Sequence, residues 1–166
     1  DRTRCFLSVA HDEYWSLEMY ENVRAAVGRG LSVGFLCGNS VSGVVPLSLR
    51  NHAGRPHRLL YRQGMFGGAS SRNATERWEK HGPDEALLIG ARTMFPANGS
   101  GNWTVTRAGH WILEGTGLRN GDFIPGLVGW EHHGDPADLP GLEVIAAGET
   151  DPAKVVLPPY YPRDPV

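Results

Sequence analysis

The densest run of chemically capable side chains in this chain is His11-Asp12-Glu13-Tyr14-Trp15. His11 can shuttle a proton, and the Glu13 carboxylate can act as base or ligand. The Tyr14 phenol can donate a hydrogen bond or, as phenolate, bind a hard metal ion. The plainer reading has Asp12 and Glu13 serving a helix N-terminus while Tyr14 and Trp15 cover a sheet edge. A second polar run, Cys37-Gly38-Asn39-Ser40, offers a thiol and, at Asn39, an amide suited to holding a substrate.

Cys37 follows an apolar run, where a strand could turn sharply into the next element as nucleophile elbows do. The residues after it lead toward Pro46 with no helical periodicity, so no helix N-terminus is expected to lower its thiol pKa, and a buried, inert cysteine is the expectation. Trp130-Glu131-His132-His133-Gly134-Asp135 is rich in metal-capable groups. Neighbours in a strand point to opposite faces and no second cluster has zinc-site spacing, so a polar turn is the reading there. His110-Trp111 and Glu114-Gly115-Thr116-Gly117 read as an aromatic pair and a glycine-rich turn.

The elements that must position these groups come from apolar patterning. Cys5-Phe6-Leu7-Ser8-Val9-Ala10 is nearly all apolar, as in a strand buried on both faces of a parallel sheet. Ser16 can cap a helix with Glu18 in its first turn, and Met19, Val23, Ala26 and Val27 form one apolar stripe. Gly28-Arg29-Gly30 supplies the stop, and a second strand follows over 31–36, completing a right-handed βαβ unit. Ligands in such sheets bind outside the carboxyl ends of the strands. The runs 11–15 and 37–40 occupy that position and face one another if the two strands are neighbours. Beyond Asn39, glycine and proline spread through 38–68, with β-prone stretches at 41–49 and 58–61, and a short exposed helix is expected over 72–80. Strand candidates at 103–106, 111–113 and 142–146 alternate with loops.

At 166 residues and 40% hydrophobic content, one domain or most of one is expected, spanning 1–166. The formal net charge is -2 and the 16 basic residues are scattered, which argues against nucleic acid and anionic membrane as partners. No apolar run approaches the roughly 18 to 20 residues of a spanning helix, and two cysteines are too few for a disulfide scaffold, so a cytoplasmic setting is the default. The first strand begins within a few residues of the start, and the tail Leu157-Pro158-Pro159-Tyr160-Tyr161-Pro162 is an extended segment, the texture of a fragment that lacks the N-terminal part of its domain.

The run His11-Asp12-Glu13-Tyr14-Trp15-Ser16, with the helix, the strand and Phe35-Leu36-Cys37-Gly38-Asn39, resembles the C-terminal domain of the large (beta) subunit of N,N-dimethylformamidase and its relatives. Glu85-Ala86-Leu87-Leu88-Ile89-Gly90-Ala91-Arg92 and the stretch from Gly126-Leu127-Val128-Gly129-Trp130-Glu131 to Pro136 also look like homologous stretches of that group. The resemblance implies an α/β chain with a flavodoxin-like, class I glutamine-amidotransferase-like partial sheet, carrying long β-rich and loop insertions and making no use of a cysteine nucleophile. It further implies hydrolysis of a small amide at a mononuclear iron held by two tyrosines and a glutamate. Tyr14 is the one ligand carried over. The second tyrosine is expected on an element before residue 1, and the glutamate on a loop after the Gly-Asn turn. The aligned segment there, Gln63-Gly64-Met65-Phe66-Gly67-Gly68, departs from the pattern in having no carboxylate.

Three readings follow. In the first the parent protein is an iron-dependent hydrolase of small non-peptide amides, in which His11 or Glu13 assists proton transfer to the leaving amine, Tyr14 binds the metal and Asn39 binds substrate. Its partners are then the amide, the rest of its own polypeptide, and a second copy or a small subunit. In the second, a domain of the same fold has lost its ligands and serves binding or scaffolding. The third is cysteine-dependent acyl transfer through Cys37.

Overall fold

A computed structural model describes residues 3–46, 49–50, 53–57, 64–67, 81–93, 100–128 and 132–151. They belong to two compact units, the first drawn from 1–96 and 131–140 and the second from 97–130 and 141–166.

The first unit is built on the expected strand, helix and strand. Strand β1 (Cys5–Val9) pairs in parallel with β3 (Ser32–Leu36), in the register Cys5↔Ser32 to Val9↔Leu36. Between them lie β2 (Tyr14–Trp15) and helix α1 (Leu17–Gly28). Ser16 caps α1 as expected, its Oγ accepting from Met19 N at 3.1 Å. The stop works through Gly30, which at φ +97 takes a conformation that a side chain would strain, and its N–H reaches Val27 O at 2.8 Å. Met19 and Val23 pack on the core as the stripe predicts, whereas Val27 is 40% exposed and the fully buried residue of the helix is Tyr20.

β1 is not buried on both faces. Its residues alternate, with Ser8 inward and Leu7 and Val9 at 57% and 59% exposure. The period of two along a strand sends Phe6 and Ser8 toward the core and leaves the opposite face outside it. The core joins Trp15, Tyr20, Val41, Val44 and Phe66, with Phe6 and Phe35 packed against it. Trp15 meets Phe6 edge-on at 6.3 Å and Phe35 at 6.1 Å, and Tyr20 meets Phe66 at 5.3 Å.

A three-stranded sheet lies beside this βαβ unit: β2 parallel to β4 (Gly43–Val44), and β4 antiparallel to β7 (Gly64–Met65). The stretches β-prone in sequence yield this β4 and a small hairpin of β5 (Leu49–Arg50) with β6 (Pro56–His57). The expected strand at 58–61 and helix at 72–80 lie outside the described residues. The apolar run after Pro83 is a one-turn helix, α2 (Ala86–Ile89), closed by Gly90 at φ +92. Next comes β8 (Ala91–Thr93), antiparallel to β11 (His133–Pro136), so the expected polar turn at 130–135 is in part a strand.

The second unit centres on β9 (Gly101–Val105), flanked by β10 (Phe123–Val128) and β12 (Ala146–Ala147), both antiparallel to it. Residues 111–113 form a 3-10 turn, not a strand, because the His110 ring caps it: Nδ1 accepts from Ile112 N at 3.2 Å. The strand candidate at 142–146 contracts to β12. The architecture is mixed α/β, with small sheets and short helices, and no described helix is long and apolar enough to cross a membrane.

Candidate functional site

Because β1 and β3 are parallel neighbours, the chain leaves both at their carboxyl ends, and the runs after them meet. Ser8 Oγ donates to Asp12 Oδ2 at 2.6 Å and lies 3.8 Å from Cys37 Sγ, tying the end of one strand to the end of the other. Asp12 also accepts from Trp15 Nε1 at 2.9 Å. Its carboxylate therefore locks the turn and anchors the core indole, a structural role within a loop otherwise available for chemistry.

Three backbone hydrogen bonds bind the two runs along their length: Val41 N to Asp12 O at 3.2 Å, Gly43 N to Glu13 O at 3.0 Å and Val45 N to Trp15 O at 3.0 Å. Tyr14 consequently sits in a strand, opposite Gly43, and is half-buried. A phenol held this way has little freedom of position, as a ligand or orienting group requires. His11 stands at the rim with a 64% exposed side chain, its Nε2 3.4 Å from Oε2 of Glu13, whose side chain is only 6% exposed. The expected catalytic pair is thus brought together, one member in solvent and the other buried.

The facing loop is strained. Ala10, Asn39 and Val41 have φ of +66, +52 and +59. Asparagine tolerates this region, but β-branched valine rarely enters it, and such positions persist only where the surroundings overdetermine them. The surroundings here are the Val41 N–H bond to Asp12 and full burial of its side chain. Cys37 is half-buried, less enclosed than expected, with Sγ 2.8 Å from Ser40 Oγ. The chain after it runs through turns into β4, so no helix begins at the thiol, as the sequence indicates.

Asn39 and Ser42 are buried at 2% and 1% exposure. Asn39 Oδ1 and Ser42 Oγ find no hydrogen-bond partner, and the same holds for both ring nitrogens of His133. Backbone groups of Cys37 and Arg92 lie beside that ring and favour its protonated form. Burial pushes its pKa below the ordinary imidazole value, partly offset by those backbone groups.

Sequence reasoning missed His133, which it placed in a polar turn, and Glu85, which is fully buried. Beyond 63–68, the chain carries Glu85 just after a segment that runs beside 65–67. Residues 81–83 run alongside 65–67, with His81 N donating to Met65 O at 2.9 Å and Gly67 N to Pro83 O at 2.8 Å. Asp84, next in line, is committed to structure, since its Oδ1 accepts from Ala86 N at 3.0 Å and its Oδ2 pairs with Arg92 at 3.1 Å. An acidic residue entering an apolar run, Glu85 before Ala86-Leu87-Leu88-Ile89, was the available signal. Among the described residues no group of three histidine, cysteine, aspartate or glutamate side chains gathers to hold a metal ion.

Fold and site together define a mixed α/β protein with polar loops gathered at the carboxyl ends of parallel strands, the usual place for a small-ligand site in such sheets. The chain belongs to the family described as N,N-dimethylformamidase beta subunit-like, C-terminal, whose model matches residues 1–157. Membership places it among dimethylformamidase-like hydrolase subunits and bears out the resemblance read from residues 11–16 and 35–39. No curated protein and no solved structure matches the chain.

Proposed function

We propose that this chain is part of a hydrolase that cleaves a small non-peptide amide with metal-activated water, at the mouth formed by residues 11–15 and 37–43. The observation that carries the reading is the set of three backbone hydrogen bonds that hold Tyr14 rigidly between Glu13 and the core indole Trp15. The parent sheet is the flavodoxin-like, amidotransferase-like one that the resemblance implies, and the partner polypeptide is the rest of the beta subunit or a second subunit.

The donor chemistry of Tyr14, a phenol oxygen held in a strand, suits a hard ion, and Tyr14 would hold ferric iron through its phenolate. Iron so bound supplies polarisation of an amide carbonyl and acidification of a water. The protein's own share is positional and protolytic. Glu13, buried beside exposed His11, takes the proton that the attacking water gives up as its oxygen bonds to the carbonyl carbon, and Glu13 or His11 delivers a proton to the nitrogen of the departing amine as the C–N bond breaks. Asn39 fixes the amide group.

The reading as a binding or scaffolding domain of the same fold is favoured by Met65 and by the absence of a carboxylate from Gln63-Gly64-Met65-Phe66-Gly67-Gly68. Cysteine-dependent acyl transfer has less support, because Cys37 has no helix N-terminus behind it and its sulfur is engaged with Ser40. Tyr14→Phe in the full-length protein tests the proposal. Iron content and amidase rate are expected to fall together with little change in Tm, and a variant that keeps both overturns the assignment.

A further inference from the structure

The 3-10 turn Trp111–Leu113 is held at its start by a side chain that can change charge. His110 Nδ1 accepts the Ile112 N–H at 3.2 Å, and His110 Nε2 stands 3.1 Å from Glu143 Oε2. A backbone N–H can only donate, so the Nδ1 lone pair must be free and the ring proton sits on Nε2, directed at the carboxylate. The neutral ring thus serves both neighbours at once. Arg107 Nη1 pairs with the other oxygen, Glu143 Oε1, at 3.2 Å and fixes the carboxylate in place. Among the described residues these are the charged groups that the ring meets. Glu114, at the far end of the turn, closes it through its backbone N–H to Trp111 O at 3.1 Å. The His110 side chain is 16% exposed, open enough to exchange protons with water, and its ring lies 5.4 Å from that of Trp111.

A second proton has one place to go on this ring. On Nδ1 it sets one N–H against the Ile112 N–H, donor against donor, and the cap is lost. The imidazolium is meanwhile held by the Glu143 carboxylate and by the Trp111 ring, whose π-electrons attract a cation. The ring therefore keeps its place and the backbone of the turn must move instead. We propose that His110 is a proton-operated catch: neutral, it caps the turn that presents Trp111 and Ile112, and charged, it stays with Glu143 and lets the turn open. What the catch controls is an apolar pair. Trp111 is 74% exposed and Ile112 53% exposed, and the turn sets where both stand. The device lies in the second unit and is independent of the amidase reading.

Hydrogen exchange of the full-length protein tests it, followed by mass spectrometry on a peptide spanning 109–117 and corrected for the intrinsic pH dependence of amide exchange. Between about pH 8 and about pH 5, the interval in which imidazoles change charge, protection of the turn is expected to fall about fivefold, the size of one lost cap, while that of β9 holds. His110→Asn keeps an oxygen that can accept the Ile112 N–H but takes up no proton, and it is expected to hold its protection across the same interval. Equal protection of the wild-type turn at the two pH values overturns the proposal, as does a fall of the same size in His110→Asn. A loss shared by β9 assigns the change to general unfolding and overturns it too. If the variant fails to fold, the wild-type comparison of the turn with β9 decides by itself.

Discussion

Asp12 and Glu13 are adjacent acidic residues with opposite duties, and the difference lies in their partners. Asp12 spends both oxygens on Ser8 and Trp15, so Asp12→Ala strands two partly buried donors. It is expected to lower stability by about 2 kcal/mol, read as a shift in the denaturant midpoint at unchanged m-value. Glu13 instead lies 3.4 Å from a solvent-exposed imidazole, a contact that serves proton transfer better than stability. His133 makes its own pH signature. Burial holds its pKa below the ordinary imidazole value of about 6.5, so as pH falls through that value the unfolded chain takes up a proton that the folded one resists. Stability from this group is therefore full above about pH 6.5 and declines below it. His133→Phe should flatten that acid limb in a Tm-against-pH series, and an unchanged limb would assign it to other groups.

At the scale of elements, local rules act where a side chain completes a backbone. The Ser16 cap on α1 is one case, and Ser16→Ala is expected to cost about 1 kcal/mol in thermal or chemical unfolding. In the second unit the backbones of β9 and its neighbours come so close that a Cβ on Gly148 would meet Asn102 O and the Val128 side chain. Gly148→Ala should thus loosen the β9–β12 pair, seen as faster amide exchange at Thr104, whereas an exchange pattern like that of the wild type would show the strands able to shift. The β1, α1 and β3 pattern was readable because each element is long enough to show its period. Two-residue strands such as β2, β4 and β7 carry no period at all. The 3-10 turn at Trp111–Leu113 has β-prone residues, and its form is decided by the His110 ring.

For the molecule as a whole, the amidase reading rests on the meeting of segments far apart in sequence. If the iron site is intact, the full-length protein carries iron with a tyrosinate charge-transfer colour, and stripping it with a chelator lowers Tm, since an ion bound to the native state alone stabilises that state. Colourless, iron-free protein that still hydrolyses amides would refute the metal mechanism.

Sequence by itself determined the family, the βαβ start, the capped helix and the positions of His11, Glu13, Tyr14 and Asn39 beyond strand ends, because capping, periodicity and strand-to-loop order are local properties of the chain. Only the tertiary structure decided that Asp12 is consumed in anchoring Trp15, that Glu85 is fully buried, and that His133 lies against the loop opened by Cys37. Burial and hydrogen-bond satisfaction belong to pairs of segments. Residues 65 and 81, or 37 and 133, acquire them only when the chain has folded back on itself.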